Sequence, residues 1–137
     1  MAALTKDTNV PMRAPLREIG LKVAASTTIY AGSIVSVNAS GYAIPAEDSA
    51  NTTVMGRAQQ HVDNSSGSNG DKTVEILKAT FLLSNAASNS VDQADVGQTV
   101  YIEDDNTVVK AAGATNNVAA GMCEEIDSSG GIWVAIV

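Results

Sequence analysis

Two stretches decide the fold: GSIVSVNASGYAIPAEDSANTTVMG (residues 32–56) and GQTVYIEDDNTVVKAAGATNNVAAG (residues 97–121), which align without a gap. Self-similarity at a fixed offset carries more weight than any other sequence signal. The positions that agree are glycines and alternating apolar residues, whereas the charged and polar positions differ. The duplication therefore predicts a repeated β scaffold and not a repeated active site.

The repeat extends beyond these 25-residue stretches. With one residue deleted, Val62-Asp63 aligns on Ile126-Asp127, and both copies end in an alternating apolar run. We therefore define a pseudo-repeat of residues 32–77 and 97–137. Apolar alternation over short runs is typical of half-buried strands.

Turn and strand glycines support the same interpretation. Gly41 and Asn106 occupy the same slot of the repeat, and both residue types accept the positive φ that a tight hairpin requires. Gly56 and Gly121 also coincide, each inside a strand pattern, which predicts a β-bulge or the close approach of another backbone. Both copies are thus expected to contain a hairpin followed by a distorted strand.

Length and composition predict one all-β domain. The chain has 137 residues, of which 45% are apolar and only 4% aromatic. Such a chain can build a small Val, Ile and Ala core. We expect a small single-domain barrel or sandwich in which two similar halves close around one core. We expect Trp133 in that core; the alternative is that another subunit covers the last strand.

The N-terminus differs from the rest of the chain. Residues 1–20 contain Pro11 and Pro15 and lack a convincing periodicity, so we expect an extended arm there and a β body over residues 21–137. The formal charge is −7, yet four of the eight basic residues lie in the first 22 positions. A basic arm on an acidic body suggests that the two parts contact different surfaces. The alternative is that scattered cations simply maintain solubility.

The same charge distribution bears on partners and location. An acidic body does not suit a phosphate backbone, so no direct nucleic-acid partner is expected. No stretch approaches the roughly 20 apolar residues of a membrane span, and no membrane partner is expected. Residues 1–10 lack the apolar segment of a secretory signal, which indicates production in a cytoplasm.

Candidate reactive groups are few. His61 adjoins Val62-Asp63, but no nucleophile motif accompanies it, so a surface role is favoured over a hydrolase role. Cys123 aligns with an alanine of the first copy and is expected to be a small buried residue. Asp63–Ser65 and Glu103–Asp105 are acidic clusters better explained by turns than by the twelve-residue calcium loop, although a weak cation site stays open. No cofactor is expected.

A set of motifs in this order resembles a known family. The motifs are the runs at residues 31–37, 42–46, 54–58, 95–101 and 120–127, namely AGSIVSV, YAIPA, VMGRA, DVGQTVY and AGMCEEID. They are similar to the small capsid decoration (cement) proteins of tailed bacteriophages, and the resemblance covers most of residues 20–137. It rests on patterns of small and β-branched residues.

The resemblance implies both a fold and a role. It implies a β-barrel or β-tulip-like body, a homotrimer, and a place on the outer surface of a virion, where the protein bridges major capsid proteins without catalysis. The arm would reach over neighbouring capsid subunits through basic residues and apolar anchors: Lys6, Arg13 and Arg17, with Leu4, Val10, Met12 and Leu16. The alternatives are another virion component, such as a tail tube, head fibre or spike, or a small hydrolase using His61.

Overall fold

The computed structural model describes Lys6 and residues 17–137, and this part of the chain is nearly all β. Two short 3-10 turns, Gln93–Asp95 and Ala111–Gly113, interrupt it. The strands are β1 Arg17–Lys22, β2 Thr27–Ile29, β3 Ile34–Val37, β4 Ala43–Pro45, β5 Thr53–Ala58, β6 Val62–Asn64, β7 Thr73–Lys78, β8 Thr80–Asn85, β9 Thr99–Ile102, β10 Thr107–Val109, β11 Ala119–Ile126 and β12 Ile132–Ala135.

Each half of the chain forms one five-stranded sheet. The first half, residues 17–78, has the strand order β1-β7-β5-β3-β4, and the second half, residues 80–137, forms a closed barrel through β8-β12-β11-β9-β10. Strand for strand the two orders are the same, with β8 in the place of β1 and β9 in the place of β3. Strands β2 and β6 form a separate two-stranded sheet. The all-β fold built from two similar halves is thus confirmed.

The correspondence extends to single hydrogen bonds. The Gly32 N–H donates to the Ala58 carbonyl at 2.9 Å, and the Gly97 N–H donates to the Cys123 carbonyl at 2.8 Å. Both donors and both acceptors are separated by 65 residues, the offset of the sequence repeat. The duplication therefore describes backbone geometry as well as composition.

The closing contact of each sheet is also repeated. The Ala24 N–H donates to the Ala43 carbonyl, and the Ala86 N–H donates to the Val108 carbonyl, each at 3.0 Å. In the second half this contact belongs to the parallel pairing of β10 with β8 that closes the barrel. In the first half the ends of the sheet are joined by one parallel bridge, Val23 to Ala43.

The bulge predicted from the strand glycines is present in both halves. The pairing of β3 with β5 and that of β9 with β11 each slip by one residue immediately before Gly56 and Gly121. A Cβ on Gly56 would lie 2.6 Å from the Leu77 carbonyl oxygen, and one on Gly121 would meet the Ala135 carbonyl oxygen. The bulge and the close backbone approach are both confirmed.

The predicted hairpin is confirmed in both halves, but the backbone conformation of its turn differs between them. Gly41 has the expected positive φ of 85°. Asn106 does not lie in the left-handed region; instead the Asp104 carboxylate accepts its N–H at 2.9 Å. A side-chain acceptor can hold a turn that would otherwise need an unusual backbone conformation.

The expectation of one shared core is wrong. Buried side chains form two clusters, because each sheet curls around its own interior. The first half encloses Val23, Ile29, Val35, Ala43, Ala58, Val62, Val74 and Ile76. The cluster of the second half includes Phe81, Leu83, Val100, Ile102, Val108, Ile132 and Val134, and two residues of the first half, Ile34 and Ala46, also belong to it.

Two further expectations need correction. Trp133 is only partly buried on the outer face, because alternation along β12 turns Ile132 and Val134 inward, and its Nε1 donates to Asp127 Oδ1 at 3.1 Å. Strand β12 lies between β8 and β11, so it is not an edge that a subunit must cover. Strand β1 begins at Arg17, so the last four residues of the expected arm belong to the sheet.

Candidate interaction surface

Most of the predicted capsid-contact residues lie outside the described part of the chain, namely Leu4, Val10, Met12, Arg13 and Leu16. Lys6 is described and exposed. Arg17 lies in β1, where it is partly buried and opposite Lys78 of β7. Burial, and after it the charge of Arg17, lower the pKa of Lys78.

His61 and Asp63 make the contacts of a surface turn. His61 is exposed, and its ring meets the Tyr30 ring edge to face, with centroids 5.3 Å apart. The Asp63 carboxylate accepts the Ser65 N–H at 2.9 Å and the Thr28 hydroxyl at 3.3 Å. The hydrogen bonds from Ser65 are the main cause of a lowered pKa at Asp63.

The acidic clusters likewise serve turns. Asp104 accepts the Asn106 N–H, and the neighbouring Asp105 is partly buried. Burial, and then the charge of Asp104, raise the pKa of Asp105. In the described part of the chain, no three His, Cys, Asp or Glu side chains are grouped so that they could hold a metal ion. Nor do those residues include a helix long and apolar enough to cross a membrane.

Cys123 is a small buried residue, as its alignment with an alanine predicts. Its side chain belongs to the core cluster of the second half and is fully buried. Burial, and then the charge of Asp95, raise the pKa of its thiol. A buried thiol with a raised pKa is a poor nucleophile.

An open cleft of about 520 Å³ lies where the two halves meet. Its walls come from residues 51–54 and 116–119, which are equivalent segments of the repeat, and from residues of β9, β11 and the C-terminal end of β12. Two exposed apolar side chains border it: Met122, 48% exposed, and Val137, 93% exposed. Exposed apolar surface of this kind is typical of sites that bind another protein.

A carboxylate clasp lies beside this cleft, at Asn116. Asp48 of the first half accepts the N–H groups of Thr115 and Asn116 of the second half, both at 2.8 Å, and the Asn116 amide donates to the Asp48 carbonyl at 2.7 Å. The N–H of Thr115 is the main cause of a lowered pKa at Asp48. The clasp therefore links the two halves through one ionised side chain.

A second groove, of about 410 Å³, follows the seam between the halves. The Arg57 guanidinium lies 4.7 Å from the centre of the Phe81 ring, and its Nη2 donates to Gln59 Oε1 at 2.6 Å. Leu82, 45% exposed, and the partly buried Trp133 also line this groove. The cation–π contact holds the first half against the second.

Sequence reasoning missed the cleft and the seam, because their residues are far apart in the chain. One sequence signal pointed to these surfaces: Met122 aligns with Arg57, and alternation along the strand turns both side chains to the outer face. Comparison with known proteins adds nothing to this: no family model, no curated protein and no solved structure matches the chain.

Proposed function

We propose that this chain is a structural virion protein that decorates and stabilises the capsid of a tailed bacteriophage. It bridges major capsid proteins, assembles with copies of itself as a homotrimer, and catalyses no reaction. The motif resemblance over residues 20–137 supports this function and the location on the outer capsid surface.

The observation that carries the proposal is the repeated scaffold with non-repeated surfaces. The two halves have the same strand order, the same bulge and the same closing hydrogen bond. The residues on their outer faces differ, and these include exposed apolar side chains such as Met122 and Leu82. A stiff body with varied outer faces suits a protein whose work is to contact several neighbours.

Decoration of this kind is mechanical. Each added subunit buries interface between capsomers, which opposes the outward pressure of packaged DNA. The N-terminal segment, residues 1–16, supplies Lys6 and Arg13 for ion pairs and the four apolar anchors, while Arg17 marks where the segment joins β1. Ordering a segment on a surface costs entropy but lets a small protein contact a large area, and repeated weak contacts add through effective concentration.

Deletion of residues 1–16 tests this mechanism, because the cut falls before β1. The truncated chain should keep its β circular dichroism spectrum and lose binding to purified phage shells assembled without this protein. Co-sedimentation measures the bound fraction and the number of copies per shell. A truncated chain that occupies shells as fully as the intact chain would contradict the role of the segment.

A charge-matched pair of variants serves as control. Lys6→Ala with Arg13→Ala removes two cations from the segment, and Lys22→Ala with Lys72→Ala removes two exposed cations from the body. Only the first pair should weaken shell binding. Electron microscopy of labelled chain on complete particles separates decoration of the shell from attachment to a tail tube, fibre or spike.

A further inference from the structure

The two halves meet through a row of side chains on the outer face of the first half. Ile34, Arg57 and Leu77 lie opposite one another across β3, β5 and β7. Ile34 belongs to the core cluster of the second half, Leu77 packs against that cluster, and Arg57 covers the Phe81 ring. We call Ile34, Arg57 and Leu77 the joining row.

The second half receives this row at a defined place. The Ile34 N–H donates to the Asp105 carbonyl at 2.7 Å, in the turn between β9 and β10. Phe81 of β8 lies under Arg57. Phe81 and Asp105 are therefore the receiving site for the joining row.

The repeat places a second joining row on the outer face of the second half. Thr99, Met122 and Ala135 lie opposite one another across β9, β11 and β12, in the same register as Ile34, Arg57 and Leu77. Thr99 and Met122 are exposed, and all three residues line the large cleft. Thr99 and Met122 of this second row therefore face solvent, whereas Ala135 is buried beside them.

The first half carries the equivalent of the receiving site. Ile19 takes the place of Phe81. Ile19 lies opposite Ile76, which pairs with Ala58. In the same way Phe81 lies opposite Val134, which pairs with Cys123, the equivalent of Ala58. Ser40, exposed in the turn between β3 and β4, takes the place of Asp105.

The pair of side chains in contact differs between the joining row within the chain and its equivalent in the repeat. Within the chain a cation, Arg57, lies on an aromatic ring, Phe81. At the equivalent positions stand Met122 and Ile19, a flexible apolar side chain matched with an aliphatic one. Each combination is favourable, whereas Arg57 against an aliphatic side chain would forgo the cation–π contact.

We propose that a second copy of this chain docks its first half, through Ile19 and the Ser40 turn, on the row Thr99, Met122 and Ala135. The contact between chains thereby repeats the contact that joins the halves within one chain. Such an interface is head-to-tail, and it closes into a ring or extends into a filament according to its rotation. The inference rests on the self-assembly that the proposed function includes, and it names the surface used.

The test is the mass of the full chain in solution. Sedimentation velocity and native mass spectrometry of the intact protein should give multiples of one chain at micromolar concentration. Met122→Asp should shift the mass to a single chain, and Ala112→Asp, which places the same charge on an exposed apolar residue elsewhere on the same half, should leave it unchanged. Circular dichroism verifies that both variants are folded.

A cysteine pair tests the geometry if Met122→Asp fails to fold. The two cysteines are Thr99→Cys and Ser40→Cys, introduced in a Cys123→Ala background. Their positions are equivalent in the repeat to Ile34 and Asp105, which a backbone hydrogen bond joins within one chain. Residues that close are compatible with a disulfide. Mild oxidation should give dimers and longer ladders on a non-reducing gel only when both cysteines are present. The proposal is overturned by a single-chain mass of the wild type, by an assembly that Met122→Asp leaves intact, or by an absence of cross-linking.

These outcomes are separate from capsid binding. A chain that occupies phage shells but stays monomeric in solution and on oxidation would overturn this contact and leave decoration standing. A chain that assembles through Met122 but does not bind shells would overturn decoration and leave this contact standing.

Discussion

Gly56→Ala tests the bulged strand on which both halves are built. A Cβ at this position would lie 2.6 Å from the Leu77 carbonyl oxygen and 2.9 Å from Ile76 Cδ1. The nearest atom belongs to the backbone of β7, so it cannot move away unless the pairing of β5 with β7 opens. The alanine side chain must therefore push apart two strands that also carry the joining row.

The cost follows from overpacking. Extra methyl or methylene groups in a well-packed interior typically cost about 1–3 kcal/mol, and a rigid backbone neighbour places this variant near the upper end, about 3 kcal/mol. For a domain of this size, 1 kcal/mol corresponds to about 2–4 °C in Tm, so we expect a fall of about 6–12 °C. Urea unfolding and thermal melting, both followed by circular dichroism, measure the change.

Gly20→Ala is the matched control in the same sheet. The nearest atom to its added Cβ is Glu75 Oε1, 3.2 Å away at the end of a flexible side chain. Loss of glycine flexibility in the unfolded chain should leave this variant unchanged or more stable by about 0.4–1 kcal/mol. If Gly56→Ala were as stable as Gly20→Ala, the close approach of β5 and β7 would be refuted.

Three more predictions concern single side chains. Arg57→Ala should cost about 1–2 kcal/mol in urea unfolding, because it removes the cation–π contact and the cover over Phe81, whereas Lys72→Ala on the exposed surface should change stability by less than about 0.5 kcal/mol. The pKa of Asp48 is lower in the folded chain than its unfolded value of 3.8, so the stability it adds is present above pH 3.8 and is lost as pH falls through the folded pKa. The loss of unfolding free energy in Asp48→Asn should therefore shrink on acidification. A loss that does not depend on pH would contradict the clasp. The Cys123 thiol should react with an aromatic disulfide reagent only as urea unfolds the chain, and a reaction at the rate of a free thiol would show that it is exposed.

The repeated scaffold could be predicted from sequence because its determinants are local. Alternation of apolar residues assigns the two faces of each strand, and Gly56 and Gly121 mark where a backbone passes too close for a side chain. The turn at Asn106 was also predicted, but without the positive φ expected there, and the reason is equally local: the Asp104 carboxylate accepts the Asn106 N–H and holds the turn.

The candidate surfaces could not be predicted in the same way. Residues 51–54 and 116–119 form one cleft only after each half has folded and the halves have docked. Their sequences are small and polar and resemble ordinary loops. The alignment of Met122 with Arg57 shows equivalent positions, but it does not indicate that one is covered and the other exposed.

By itself the sequence determined that the chain contains two like β halves, with the same strands and the same bulge. Only the tertiary structure decided that these halves keep separate cores, and that the outer face of one is buried while the equivalent face of the other is open. The reason is physical: alternation within a strand reports which side faces the interior of its own sheet. Burial of the opposite side, as at Ile34 but not at Thr99, depends on a contact with a distant half that no local pattern encodes.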